Sequence, residues 1–146
     1  MSHRKALSQW EHTVSTRLPH LSRPQAQVLA FWSYGMVLAK SCGITTVAAL
    51  LADLTQTSLS TMRQRLREWC YDAQDKKGEH RQDVDVTLCF APLVCWIVSL
   101  WPQDEPRLAL GMDATTLSDR FTVLCISVLY RGCAIPVAWK LMRGGE

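Results

Sequence analysis

The apolar residues of this chain change their spacing from helical to extended at a break, Pro102-Gln-Asp-Glu-Pro106. Before the break they recur every three or four positions, as on one face of a helix. After it, three strand-like runs cover residues 107–117, 120–130 and 133–141. Short connections between these runs favour antiparallel hairpins. The pattern predicts an α+β fold, with a helical N-terminal region followed by three antiparallel strands.

The first two helices are predicted from spacing and from residues that begin or end helices. Helical spacing indicates a first helix that ends near Pro19 and a second that begins after Ser22. Ser22 can cap the free N–H groups, Pro24 fits the first turn, and Gly43 is a suitable stop. The second helix is apolar over much of its girth, which predicts a central position in the N-terminal part.

Two shorter helices follow with a brief polar link between them. Thr45 or Thr46 can cap the first, and Ser58 can cap the second, which runs to Trp69. Two short helices joined in this way have the outline of a helix-turn-helix, a motif that binds DNA through its second helix.

The second of these helices carries three arginines, which are the candidate DNA-binding residues. Arg63 and Arg67 lie four residues apart on one stripe beside the apolar face, whereas Arg65 points elsewhere. Such a stripe can contact phosphates or guanine edges. The alternative is an ordinary solvated helix face.

Charge is distributed unevenly along the chain. Residues 1–82 hold 11 Lys and Arg against 6 Asp and Glu, whereas residues 83–146 hold 5 against 7. A basic N-terminal part beside a slightly acidic remainder suits nucleic-acid contact followed by a separate activity. A chance asymmetry on solvated faces is the alternative.

Cysteines and apolar segments bear on the compartment. The six cysteines form no CxxC pair and have no histidine at zinc-finger spacing, which favours buried free thiols over zinc ligands. The N-terminus does not resemble a signal peptide, so a reduced cytoplasmic setting is expected. Residues 86–101 are apolar and uncharged but shorter than the roughly 20 residues of a membrane span. We predict a buried core helix that begins at Pro92, with membrane insertion as the weaker alternative.

The strands after the break are predicted to be well covered. Both faces of the run 120–130 are largely apolar, as in a strand buried on both sides. Pro136 predicts that the third strand lies at an edge or carries a bulge. Tryptophans at 96, 101 and 139 are interpreted as core groups, with base stacking as the less favoured alternative.

Asp113 is the candidate catalytic and metal-binding residue. It lies inside the first apolar strand-like run, where a carboxylate is costly unless it is paired, hydrogen-bonded or bound to a metal. A metal site needs further ligands, and no later strand carries an acid in a comparable place. Asp119 falls in the predicted turn, where turn chemistry or a solvated charge is the better interpretation.

Two stretches resemble bacterial insertion-sequence transposases of the DDE type. They are Gly111-Met-Asp-Ala-Thr-Thr-Leu-Ser-Asp-Arg120 and Tyr130-Arg-Gly-Cys-Ala-Ile-Pro-Val-Ala-Trp139. The resemblance is sharp over residues 107–141 and loose over the rest of the chain. It implies an RNase H-like catalytic core in which Asp113 is the first acid of the triad and binds Mg²⁺ or Mn²⁺.

The resemblance also sets expectations for domains, activity and partners. It implies a DNA-binding region at 1–82, an apolar helix and linker at 83–106, and the start of an incomplete RNase H-like domain at 107–146. The family's second Asp and its Glu have no counterpart here, so we expect a truncated transposase that keeps DNA binding and lacks strand cleavage. The expected partners are transposon ends and a dimer with itself or with a full-length transposase. The alternatives are a stand-alone helix-turn-helix regulator and a decayed gene product.

Overall fold

The computed structural model describes residues 3–79, 82–102, 104–105 and 107–144. It consists of two compact units, Met1–Asp85 and Val86–Glu146, which we call the helical unit and the sheet unit. Helices precede an antiparallel sheet along the chain, and this confirms the predicted α+β class.

The helical unit contains four α-helices and a short 3₁₀ turn. Their bounds are α1 His3–Arg17, α2 Arg23–Ala39, α3 Ile44–Thr55 and α4 Leu59–Glu68, followed by the turn Ala73–Asp75. Helix α2 packs against the other three α-helices, as predicted from its apolar girth.

The helix ends confirm some of the predicted caps and correct others. The Ser22 N–H donates to Gln25 Oε1 (2.8 Å) at the start of α2, and Ser58 Oγ accepts from the Thr61 N–H (3.1 Å) at the start of α4. The predicted stop of α2 at Gly43 is wrong, because Lys40 turns left-handed (φ 49°) and ends the helix there.

The predicted caps of α3 are also wrong. Gly43 is the N-cap of α3, and Thr45 and Thr46 therefore fall inside its first turn.

The core of the helical unit depends on a close approach of α2 to α3. A Cβ atom on Gly35 would lie 2.7 Å from Val47 Cγ1 and 3.1 Å from Leu51 Cγ, so only glycine lets the two helices come this close. Val47 and Leu51 are fully buried, and so are Met62 and Leu66 of α4. This cluster fixes α4 to the face of α3.

The polar, charged composition of residues 72–85 predicts a linker or an exposed loop, and the described part of this segment is attached to the helical unit. The Ala73 N–H donates to Asp83 Oδ1, and Gln25 Nε2 of α2 donates to the Asp83 carbonyl oxygen (2.9 Å). The described part is therefore a loop, and its attachment to α2 is what the composition did not predict.

The sheet unit contains one helix and three strands. They are α5 Thr87–Ser99, β1 Ala109–Leu117, β2 Phe121–Tyr130 and β3 Cys133–Arg143. The strands are antiparallel in the order β1-β2-β3, and their bounds agree with the predicted runs to within about two residues. Ile126 pairs with Ala138 and Ser127 pairs with Pro136, which leaves Val137 as the extra residue of a bulge. The prediction of an edge strand with a bulge at Pro136 is confirmed.

Burial in the sheet unit is lower than predicted. Helix α5 begins at Thr87 and accommodates Pro92 inside it, so the predicted start at Pro92 is wrong. None of its residues is fully buried, and Leu100 just after it is 72% exposed. In β2 only Val128 is fully buried, and α5 packs mainly against β3 within the sheet unit.

Side chains that were interpreted as core groups are also less buried than predicted. Trp139 contacts Phe90 edge to face at 5.0 Å between ring centroids, yet 42% of it stays exposed. No cysteine is buried, contrary to the prediction: Cys42, Cys70, Cys95 and Cys133 are exposed, and Cys89 and Cys125 are half-buried.

No single described helix is long and apolar enough to cross a bilayer. Helices α2 and α3 reach the required length and hydropathy only together, and they are bent by 102° to each other.

Substitution of Gly35 by alanine tests the approach of α2 to α3. Alanine normally stabilises a helix interior relative to glycine by about 0.5–1 kcal/mol. Here we expect the free energy of unfolding to fall by about 1–3 kcal/mol, because the new methyl group overlaps Val47. Urea titration followed by circular dichroism measures the change.

Val47→Ala should make room for the methyl group, so the double variant should lose less than the sum of the single losses. Additive losses would contradict the close approach.

Candidate nucleic-acid interface

Helix α4 presents a polar stripe on the side away from the core. Ser60, Arg63, Gln64 and Arg67 follow the i, i+3, i+4, i+7 spacing that lines up side chains on one helix face. Burial of Met62 and Leu66 against α3 turns this stripe outward. The core packing thus determines which residues of α4 face outward.

Arg63 is anchored to the start of α3. Its Nη2 donates to Thr45 Oγ1 at 3.4 Å, and its buried Nε finds no acceptor among the described residues. The side chain is half-buried, whereas Arg67 one turn later is exposed. Arg63 is therefore held in place, and Arg67 projects into solvent.

The stripe forms one wall of a cleft of about 380 Å³, which we call the α4 cleft. Its lining consists of the stripe together with Glu68, Tyr71, Asp75 and Lys77. Three cations thus share the cleft with two carboxylates. The Glu68 carboxylate accepts a hydrogen bond from Gln64 Nε2 at 2.7 Å, which occupies one of its oxygens.

Arg65 lies on a different side of α4. It lines a second cleft of about 170 Å³ with Gln25, Trp69 and Lys76. The Trp69 Nε1–H donates to the Gln25 carbonyl oxygen (3.0 Å) at this place and ties the end of α4 to α2. The structure brings Arg63 and Arg67 together and keeps Arg65 apart from them.

Several cleft residues were not among the sequence candidates. Ser60 and Gln64 share the helical spacing of the arginines, so the same periodicity would have identified them. Tyr71 and Lys77 had no such signal, because their position depends on how the loop after α4 returns to the helix. Partial desolvation raises the pKa of the nearby Cys70 thiol, although its surface is largely exposed, and Lys76 opposes the shift, so the thiol stays protonated at neutral pH.

Asp113 lies on β1 and is exposed. The prediction that this strand is well covered is therefore wrong at this position. It pairs across the sheet with Cys125, and the Thr115 hydroxyl donates to its Oδ2 at 3.2 Å. The expected cost of burial does not arise, since the side chain keeps its contact with water. Asp119 is exposed in the turn between β1 and β2, where the sequence placed it.

The donors around Asp113 do not make up a Mg²⁺ or Mn²⁺ site. Such ions prefer about six oxygen ligands, usually including one or two carboxylates. The described residues supply the Asp113 carboxylate and the Thr115 hydroxyl, beside the soft thiol of Cys125. No group of three or more His, Cys, Asp or Glu in the described part of the chain could hold a metal ion. We derive no catalytic step through a metal here.

Comparison with known proteins gives no relative for this chain. No protein-family model, no curated protein and no solved structure matches it.

The exposed edge at β1 leads to a prediction about self-association. Met112 is 72% exposed and Leu110 is 59% exposed on one face of β1, whose outer edge pairs with no described strand. Such an edge favours pairing with another chain, and a lysine on it opposes this. We expect Met112→Lys to lower the weight-average mass in sedimentation measurements at equal protein concentration. Met112→Ala is the control that removes apolar surface without adding charge. A wild-type chain that stays monomeric at high concentration would contradict the prediction.

Proposed function

We propose that this chain is a DNA-binding protein of the DDE transposase type. In this proposal α3 and α4 act as a helix-turn-helix on duplex DNA, and β1 carries Asp113 as the first acid of the family's catalytic site. The observation that carries the proposal is the polar stripe of α4, in which Arg63 and Arg67 share one outward face with Ser60 and Gln64. The resemblance of residues 107–141 supports the transposase class.

The side chains of the stripe suit both kinds of DNA contact. Arginine can donate two hydrogen bonds to guanine, and glutamine can bind adenine by its amide. Serine hydroxyls and arginines also bind phosphate oxygens, which position a protein on DNA without reading its sequence. An α-helix fits the major groove, so α4 can present these groups to base edges while α3 lies across the backbone.

The anchoring of Arg63 favours recognition over a loose electrostatic contact. A guanidinium held by Thr45 Oγ1 loses less side-chain freedom on binding than a mobile one. The excess of basic residues in the first 82 positions adds a long-range attraction for a polyanion. The expected DNA is the transposon end, and the expected assembly is a dimer with itself or with a full-length transposase.

We propose DNA binding, and not strand cleavage, for the residues that the structure describes. Asp113 supplies one carboxylate, and the described residues place no second one beside it. In the family this acid helps to bind divalent metals that promote in-line displacement at a phosphate. Among the described residues, Asp113 has no further carboxylate beside it to complete such a site.

Removal of both stripe arginines tests the proposal. Arg63→Ala/Arg67→Ala should weaken binding of labelled random-sequence duplex DNA, because two cations leave the α4 face. Fluorescence anisotropy at several salt concentrations measures affinity and its salt dependence. If both arginines contact phosphates, the slope of log K against log salt should fall in magnitude by about 1.8, at roughly 0.9 per phosphate.

Arg65→Ala is the matched control, since it removes the same charge from the same helix on another side. We expect a smaller loss than for either stripe arginine alone. Equal affinity of the wild type and the double variant, with both chains folded by circular dichroism, would remove α4 from the interface.

Asp113→Ala separates the transposase type from a stand-alone regulator. A regulator has no use for this acid, so its DNA affinity should be the same with and without Mg²⁺ at constant ionic strength, in both chains. In the transposase type a DNA phosphate would add oxygen ligands beside Asp113, so a component of binding should need Mg²⁺ and disappear in the variant. Titrations of the wild type and Asp113→Ala, each with Mg²⁺ or with an inert salt, measure the difference.

A further inference from the structure

The loop that follows α4 is folded back onto the helical unit by its own contacts. Asp83 accepts hydrogen bonds from the Ala73 N–H and from Gln25 Nε2 of α2, while Lys76 Nζ donates to the Gln82 carbonyl oxygen. The 3₁₀ turn Ala73–Asp75 lies between α4 and these contacts. As a result the loop is held beside α4.

We propose that the segment Tyr71–Lys77 is a second DNA-contacting element, in which Lys77 binds a backbone phosphate beside the groove that α4 occupies. This inference deepens the proposed function and depends on it. Lys77 lines the same cleft as Arg63 and Arg67, so one strand of DNA can touch the helix and the loop together. The arrangement is that of a helix with an accessory arm on its flank.

The chemistry of the segment suits a phosphate better than a base. A lysine ammonium is a compact point charge with no flat donor pattern, which fits the charge of a phosphate and gives little sequence information. Tyr71, which is 45% exposed in the same cleft, adds a hydroxyl that can donate to a phosphate oxygen. The loop therefore adds affinity and orientation, and the α4 stripe provides the readout.

Two acids in the α4 cleft oppose a phosphate, and they differ in their own partners. Glu68 is engaged by Gln64 Nε2. Asp75 lies in the loop on the same cleft as Lys77 and carries a negative charge toward any anion bound there. Loss of the Asp75 charge should consequently strengthen DNA binding, whereas loss of the Lys77 charge should weaken it.

Lys76 is the matched control for Lys77. The two lysines are adjacent in sequence and have equal charge, but Lys76 lines the other cleft with Arg65 and Trp69. Its ammonium also donates to the Gln82 carbonyl oxygen, a contact within the loop, and the two contacts of Asp83 that hold the loop remain in Lys76→Ala. A purely long-range effect of charge would treat the two residues alike, whereas a contact in the α4 cleft would not.

The experiment compares the full chain with Lys77→Ala, Lys76→Ala and Asp75→Asn in anisotropy titrations of random-sequence duplex DNA over a salt series. For Lys77→Ala we expect the slope of log K against log salt to fall in magnitude by about 0.9, the value for one phosphate. Lys76→Ala should keep the wild-type slope. Asp75→Asn should bind about two- to fivefold more tightly at low salt, the size of an exposed charge interaction.

The outcomes separate this inference from the proposed function. Equal slopes for Lys77→Ala and Lys76→Ala, or an Asp75→Asn affinity no higher than wild type, would overturn the inference. If Arg63→Ala/Arg67→Ala still loses binding in that case, the proposed function stands without the arm. A wild-type chain that binds no duplex DNA would overturn both. The gain expected for Asp75→Asn cannot arise from a misfolded variant, so poor folding of Lys77→Ala does not spoil the test.

Discussion

The close approach of α2 to α3 at Gly35 determines the geometry of the helical unit. Because Val47 and Leu51 pack directly over a glycine, α3 lies closer to α2 than any other side chain would allow. Met62 and Leu66 of α4 belong to the same buried cluster as Val47 and Leu51, and this contact sets the rotation of α4 about its own axis. The outward direction of Arg63 and Arg67 on α4 is thus a consequence of how α2 packs against α3. A disturbance at Gly35 would reach the interface without touching a residue in it.

The two parts of the α4 cleft differ in how they are positioned. The helical stripe is defined within a single element, since 3.6 residues per turn align Ser60, Gln64 and Arg67 whatever surrounds them. The loop residues depend on hydrogen bonds to Asp83 and on a 3₁₀ turn, which are individually weak. In the proposed DNA complex a rigid helix would contact the base edges, and a softer loop could follow the sequence-dependent shape of the backbone.

Local chemistry in the sequence was enough to predict the elements, and it failed where the outcome depended on neighbours. Ser58 as a cap and Pro136 at a bulge follow from hydrogen-bonding capacity that each residue carries with it. The end of α2 did not follow, because Lys40 adopts a left-handed conformation that sequence patterns assign to glycine. Periodicity alone identified the stripe arginines, Arg63 and Arg67. The position of Lys77 could not be identified in this way, because it depends on the fold of a loop. Burial was overestimated in β1, β2 and α5 for one reason: an apolar pattern reports what a segment can bury, not what is present to cover it.

The exposure of Asp113 changes the physical argument for a metal-binding role of this residue. In a covered strand the carboxylate would need a partner to offset desolvation, and that need would itself indicate a metal. On an exposed strand it needs no partner, yet aspartate is among the residues that fit a β-strand least well. Its position between Met112 and Ala114, opposite Cys125, gains nothing for the pairing of β1 with β2 that a threonine would not provide better. The exposed Thr115 hydroxyl donates to this carboxylate, so the role of Asp113 as a metal ligand depends on the resemblance of residues 107–141 and stays a proposal.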